Sequence, residues 1–407
     1  MAQDNTLLQE LGKMPIFRLS LGSKELFHSN FLEFLWISSP SAFIDLIREL
    51  LGDNSVLPQN PKEYELDREK ENFDICIYHK KGNSIIYDLI LENKVKSIPY
   101  KEQLDEYKER IDKRNLEKKR KETKSCPRYL LLSLARDFPD KDVIERTWKV
   151  VHYDALKAAI ENQVWPSGGS YIKDYCDFIE ELDELGGVIL NGLPGEYLFQ
   201  EEDLKAFREE RLHDLYIKLR CTSFMLLLKQ RLTGRVPVEI RPAGQVRKKD
   251  NKPNDKAGVY LNVNVFNSVG QIGALVWTGK ENDDIYEVII QGGQYRHGIN
   301  QYTTQSKQPK ENGKKSKADR DILNGMWNRF SSDEPSKSFL FVTRKGAGYF
   351  PIDADQDKGK DGPYDDYDNG YIYRYFKCDG WKVSFLLKYM ADDIVDIARK
   401  LGIITIP

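Results

Sequence analysis

With 407 residues, 40% of them hydrophobic and 31% charged, the chain is too apolar to be disordered and too long for one ordinary domain of about 100–200 residues. A formal net charge of −2 excludes binding of nucleic acid by bulk charge, so any such surface must be a local basic patch. Five scattered cysteines (Cys76, Cys126, Cys176, Cys221, Cys378), never in a C-x-x-C pair, argue against a disulfide framework or a zinc site, and the absence of a leader-like N-terminus or an 18-residue apolar run points to a cytoplasmic protein.

From Ser23, a candidate N-cap, "SKELFHSNFLEFLWI" carries apolar residues at Leu26, Phe27, Phe31, Leu32, Phe34 and Leu35, the spacing of a helix sunk into a core. "SAFIDLIRELLG" continues as a second helix that stops at Gly52. The period then changes to two. "EYELDRE", "NFDICIYHK" and "SIIYDLILENK" read as three consecutive strands over residues 63 to 94. A charged helix from Tyr100 to about Glu122 follows, then the strands "RYLLLSLA" and "WKVVHY", then a helix "DALKAAIENQ" capped by Asp154. This order is that of a mixed α/β layer arrangement.

The stretch "LGGVILNGLPGEY", 185 to 197, with its glycines and proline, reads as the boundary between two domains, 1–187 and 188–407. Beyond it the pattern predicts one helix over about 201 to 233 and strands at "PVEIRP", "GVYLNVNVF", "IGALVWTG", "IYEVIIQGG" and "SFLFVTR". A final helix begins near Ser384. This half reads as α+β with an antiparallel sheet. "GGQYRHG" reads as a turn, and residues 303 to 321 and 353 to 370 as loops.

Alternation places Glu92 and Lys94 on one face of the third strand, alongside Asp88 and Ile90, and Asp74 with Cys76 and Tyr78 on the strand before it. If the two strands pair through the turn at 80 to 84, Asp74 meets Glu92. Two crowded carboxylates repel unless a cation intervenes, and an oxygen-only site suits Mg²⁺, with Mn²⁺ able to substitute. The triplet acidic-x-Lys is itself common, with six in the chain beginning at Glu92, Glu106, Glu117, Glu122, Asp203 and Asp250. Only the one at Glu92 ends an apolar strand, follows an Asp on the preceding strand, and precedes a helix with Gln103 and Tyr107 on one face.

"FDICI", "LILENK" and "QLDEY" resemble the PD-(D/E)XK nuclease superfamily, and the Gln-x-x-x-Tyr helix is similar to its RecB-type branch. The resemblance covers roughly residues 23 to 163. It implies a restriction-endonuclease-like mixed sheet flanked by helices, with Asp74 and Glu92 as metal ligands and the backbone carbonyl of Asn93 as a third. Lys94 takes the role of catalytic lysine, and Gln103 and Tyr107 hold the site or the substrate backbone. For the acidic residue that many members carry on the first helix, Glu33 is the candidate, and His28 a weaker one. Asp74 lacks the preceding proline of the family name. The expected activity is metal-dependent hydrolysis of phosphodiester bonds in nucleic acid, with DNA favoured, in defence or repair. The C-terminal domain would serve substrate selection, oligomerisation or partner binding.

Plainer accounts stand beside these. A Glu and a Lys at a strand end form a solvated ion pair worth about 0–1 kcal/mol in most proteins. Glu33 fits the polar end of a helix face, and His28 a core histidine. The basic run 108 to 124 fits a solvated helix, because acidic residues recur in it at i, i+4 spacing. "RKKDNKP" and "KKSKADR" fit either nucleic-acid contacts or solvated loops. A chain that keeps the fold and binds or senses nucleic acid without cutting it is the alternative function.

Overall fold

A computed structural model describes residues 2–20, 24–52, 60–82, 84–118, 127–191, 197–199, 201–240, 258–266, 269–277, 284–291, 294–301, 365–367, 371–377, 382–400 and 403–404. Ser23, the helix beyond residue 118, the strand "SFLFVTR", the insert at 303 to 321 and the two basic stretches at 247–253 and 314–320 lie outside the described residues, as does most of 353–370.

Two compact units are present: Met1–Gly192 with Phe199–Ser223, and Leu193–Leu198 with Phe224–Pro407. The first unit therefore takes in Phe199–Ser223, a segment that the sequence places with the second half.

The first unit opens with helices α1 (Ala2–Lys13), α2 (Pro15–Ser20), α3 (Lys24–Ser38) and α4 (Pro40–Leu51). Helix α4 begins at Ser39, whose hydroxyl accepts from the Ala42 N–H, and ends at Gly52 in the left-handed region at φ 67°. A five-stranded sheet follows in chain order, β1 (Tyr64–Arg68), β2 (Ile75–Lys81), β3 (Ser84–Lys94), β4 (Arg128–Ser133) and β5 (Lys149–Val151). The pairs β1/β2 and β2/β3 are antiparallel, and β3/β4 and β4/β5 are parallel. Helix α5 (Lys101–Lys118) makes the crossover from β3 to β4 and packs on β3. A short helix α6 (Lys141–Ile144) precedes β5, and α7 (Tyr153–Glu161) and α8 (Gly169–Asn191) follow it. Leu89, Ile90, Leu91 and Leu130 to Leu132 are fully buried at the sheet's centre, each such leucine contributing about 1.5–3 kcal/mol. This anchors the central strand on which the site is built.

Four local expectations need correction. The cap of α7 is His152, not Asp154, which stands in its first turn. The glycines at 186 and 187 lie inside α8 rather than at a boundary, and a Cβ on Gly186 would come within 3.1 Å of the Leu134 side chain, so glycine there lets the helix approach the end of β4. Residues 201 to 233 form two helices, α9 (Glu201–Glu209) and α10 (His213–Leu232), separated by Arg211 at φ 53°. Finally, β2 and β3 slip register between Ile77 and Tyr78, so that Asp88 becomes the extra residue of a β-bulge. It leaves the face of Glu92, and its carboxylate lies 2.6 Å from His79 Nδ1.

Among the described residues the second unit contains a seven-stranded sheet in the order β11-β12-β10-β9-β8-β7-β6, from β6 (Val238–Ile240), β7 (Gly258–Phe266), β8 (Val269–Trp277), β9 (Asp284–Gln291), β10 (Gln294–Gln301), β11 (Asp365–Tyr367) and β12 (Tyr371–Lys377). Its pairs are antiparallel except β6 with β7. Tyr295, Arg296 and His297 belong to β10 instead of a turn, and Asp365–Tyr367 is a strand instead of a loop. The last helix, α11 (Val383–Lys400), carries Asp393, whose buried carboxylate accepts from the Tyr295 hydroxyl.

Candidate active site

Strand β3 is apolar through Leu91 because its middle is covered on both faces, and it turns polar where its last three residues reach the sheet's C-terminal edge. Those residues nevertheless remain enclosed: Glu92 is 3% exposed, Asn93 1% and Lys94 7%. Enclosure changes the energetics of the Glu-x-Lys pair, since burial makes a lost partner costly in a way that solvent prevents at the surface.

Ile75 on β2 faces Leu91 on β3, so the next rung sets Asp74 opposite Glu92. Asp74 Oδ2 accepts from the Asn93 backbone N–H at 2.6 Å. Glu92 Oε1 lies 2.6 Å from Lys94 Nζ, while Glu92 Oε2 is buried with no hydrogen-bond partner among the described residues. Burial, and then the charge of Glu92, push the Asp74 carboxyl up to about 7. Burial likewise raises Glu92, although Lys94 opposes it. For Lys94 burial acts to lower the pKa, but Glu92 and Asp74 outweigh it and hold the ammonium above its ordinary range. The site thus joins two strained carboxylates to a single cation.

Helix α5 brings Gln103 and Tyr107 together on one face, with Gln103 Nε2 donating to the Tyr107 hydroxyl at 2.8 Å. Tyr107 is raised by burial and then by Glu92, which puts its hydroxyl within the field of the carboxylates. Arg110, one turn further, lies 5.3 Å from the Tyr107 ring and 5.5 Å from the Phe73 ring, and donates to the Glu71 carbonyl at 2.8 Å. That carbonyl belongs to the turn leading into Asp74, in which Glu69, Glu71 and Asn72 all adopt positive φ, between 54° and 68°. Three non-glycine residues in the left-handed region before a candidate ligand mark a backbone held by its surroundings.

Glu33 is not brought to this cluster. Its carboxylate pairs with Arg68 of β1 at 2.5 Å. His28 is a core residue, fully buried, with Nδ1 2.8 Å from the Tyr175 hydroxyl and its ring stacked on Phe178. The acidic residue of α3 that reaches the site's field is Glu25, in the helix's first turn. Its Oε1 accepts from the backbone N–H groups of Lys96 and Ser97 at 3.2 and 3.0 Å, fixing the segment just after Lys94. Glu25 and Glu33 are eight residues apart on the same helix, so spacing alone gave no means to choose between them. The signal for Arg110 was present, since Gln103, Tyr107 and Arg110 form one i, i+4, i+7 stripe.

Among the described residues, no group of three or more His, Cys, Asp or Glu side chains is placed to hold a metal ion. The donor set at Asp74 and Glu92 still fits one. Both carboxylates are destabilised as anions, one buried oxygen lacks a donor, and oxygen-only ligation by two carboxylates suits a hard divalent cation that keeps waters of its own.

Over residues 16–177 the chain matches the family model of the PD-(D/E)XK nuclease superfamily. The matched region contains the whole five-stranded sheet, which with its flanking helices is consistent with a restriction-endonuclease-like fold. The matched superfamily is one of nucleases, which hydrolyse phosphodiester bonds of nucleic acid and generally use divalent metal ions. No curated protein and no solved structure matches the chain. Among the described residues, no helix is long and apolar enough to cross a membrane.

Proposed function

We propose that the protein is a metal-dependent nuclease of the RecB-type branch, with DNA as its favoured substrate. The observation that carries this reading is the convergence of Asp74, Glu92 and Lys94 in a buried cluster where two carboxylates share one ammonium. Asp74, Glu92 and the Asn93 carbonyl would hold Mg²⁺, for which Mn²⁺ can substitute. A cation bound there supplies a Lewis acid for the phosphoryl oxygen and acidifies water near neutral pH. Lys94 orients the attacking water and offsets negative charge that develops at phosphorus. Gln103 and Tyr107 secure the helix against the site and offer polar groups to the substrate backbone. Glu25, rather than Glu33, is the α3 carboxylate assigned to support the cluster. The second unit would select substrate, bind a partner or oligomerise, and a cytoplasmic role in defence or repair fits this activity.

The rival is a protein that keeps the fold and binds or senses nucleic acid. It is disfavoured because Asp74, Glu92 and Lys94 are all present. The deciding experiment combines calorimetry of Mg²⁺ and Mn²⁺ with digestion of plasmid, linear DNA, single strands and RNA. Metal-dependent cleavage by the wild type supports the nuclease. A wild type that binds metal yet cuts none of these substrates selects the rival.

A further inference from the structure

Between the two motif residues stands Asn93, whose side chain must point to the opposite face of the sheet from Glu92 and Lys94. There its Nδ2 donates to the Glu25 carbonyl at 3.1 Å, and its Oδ1 accepts from the hydroxyl of Tyr153. The amide orientation is unambiguous, because a backbone carbonyl can only accept and so must face the Nδ2. Tyr153 is the first residue of α7 and is fully buried, with its ring 5.2 Å from the ring of His28. Phenylalanine would fill nearly the same volume. Among the described residues the hydroxyl donates to Asn93, whose own backbone N–H holds Asp74 Oδ2 at 2.6 Å on the site side.

We infer that Tyr153 is a positioning residue for the metal site: through Asn93 it fixes the strand end that presents Glu92, Lys94 and the Asn93 backbone, and through the Asn93 N–H it also fixes Asp74. The effect passes through one peptide unit. If the Asn93 amide loses this anchor, the peptide unit it holds is free to shift, and the bond to Asp74 and the spacing of the two carboxylates change together. A buried amide oxygen left without a donor has a strong incentive to turn.

This inference rests on the nuclease reading, and its test separates the two. The probe is Mn²⁺ alone, titrated calorimetrically into full-length wild type, Y153F, N93L and the double variant, with thermal stability and steady-state cleavage measured on each. Outer groups that orient ligands are typically worth about 10–100-fold in metal affinity or activity. Y153F is therefore expected to bind Mn²⁺ at least about tenfold more weakly and to lose kcat with KM little changed, while N93L loses a similar factor. Adding Y153F to N93L should change Mn²⁺ affinity no further, because the hydroxyl acts through the amide. Additive losses in the double variant, or a folded Y153F with wild-type Mn²⁺ affinity and kcat, would overturn the inference. If Y153F does not fold, N93L decides: weaker Mn²⁺ binding supports the assignment and wild-type binding refutes it. A wild type that neither binds Mn²⁺ nor cuts overturns the nuclease reading itself.

Discussion

On β1 and β2, Glu65 and Asp67 meet the hydroxyl of Tyr78 at 2.8 and 2.9 Å, and each has its own lysine, Lys80 for Glu65 and Lys70 for Asp67. Elsewhere in the same sheet, Asp74 and Glu92 share Lys94, and among the described residues one oxygen of Glu92 has no donor. The consequences run in opposite directions. Lys80 and Tyr78 hold Glu65 below its ordinary pKa, and for Asp67 the bonds from Lys70 and Tyr78 outweigh a burial that pulls the other way. Asp74 and Glu92 are both raised. A half-exposed carboxylate pair can be neutralised by its own surface lysines, whereas the enclosed pair lacks one positive charge. Such a deficit is what a divalent cation would fill.

Substitutions can break this comparison at either pair. The largest effect is expected from E92Q, which removes one of the two crowded charges: Mn²⁺ binding by calorimetry and cleavage of plasmid DNA should both vanish, while the circular dichroism spectrum stays that of the folded protein. Normal cleavage by E92Q would place the active centre elsewhere. K94A should lower turnover by on the order of a hundredfold or more, the loss typical of one preorganised electrostatic group, with metal affinity and nucleic-acid binding little changed.

The metal-free protein sharpens the contrast through pH. The folded Asp74 carboxyl is raised from 3.8 to about 7, so between those values the folded state holds a proton that the unfolded chain releases. The group's contribution to stability is therefore complete below about 4 and is lost as pH rises through about 7. Thermal melts of the metal-free wild type should show this decline relative to D74N, and equal pH profiles for the two proteins would contradict it. The smallest effect belongs to the satisfied pair: E65Q and D67N should leave cleavage within about twofold of wild type in the same assay, as expected of partly exposed positions away from the site.

The central strand and its charged end were legible because alternation, a long apolar run and the Gln103 to Tyr107 spacing are local properties of the chain. The Gly52 cap was equally local. Features set by tertiary docking were not. Glu33 was the candidate for the acidic residue that many members of the resembled superfamily carry on the first helix, yet Arg68 on β1 takes its carboxylate, and Glu25 gains its place only from how α3 seats against the end of β3. The break between α9 and α10 falls in "EERLH", where no glycine or proline announces it, because Arg211 itself takes the left-handed conformation. Asp88 followed the alternation on paper, but a single extra residue in β3 turned it to the other face. The glycines of α8 look like helix breakers in isolation and serve close packing in the fold.

The turn before Asp74 bears on how this protein could evolve or be engineered. Each non-glycine residue forced into the left-handed region costs on the order of 1–3 kcal/mol, and three of them, Glu69, Glu71 and Asn72, precede Asp74 within six residues. Glycine at Asn72 would relieve steric conflict there and broaden the conformations open to the segment that carries Asp74. A selection for heat resistance alone would thus be drawn to this turn, and on the nuclease reading the tougher variants it returned would be the poorer catalysts.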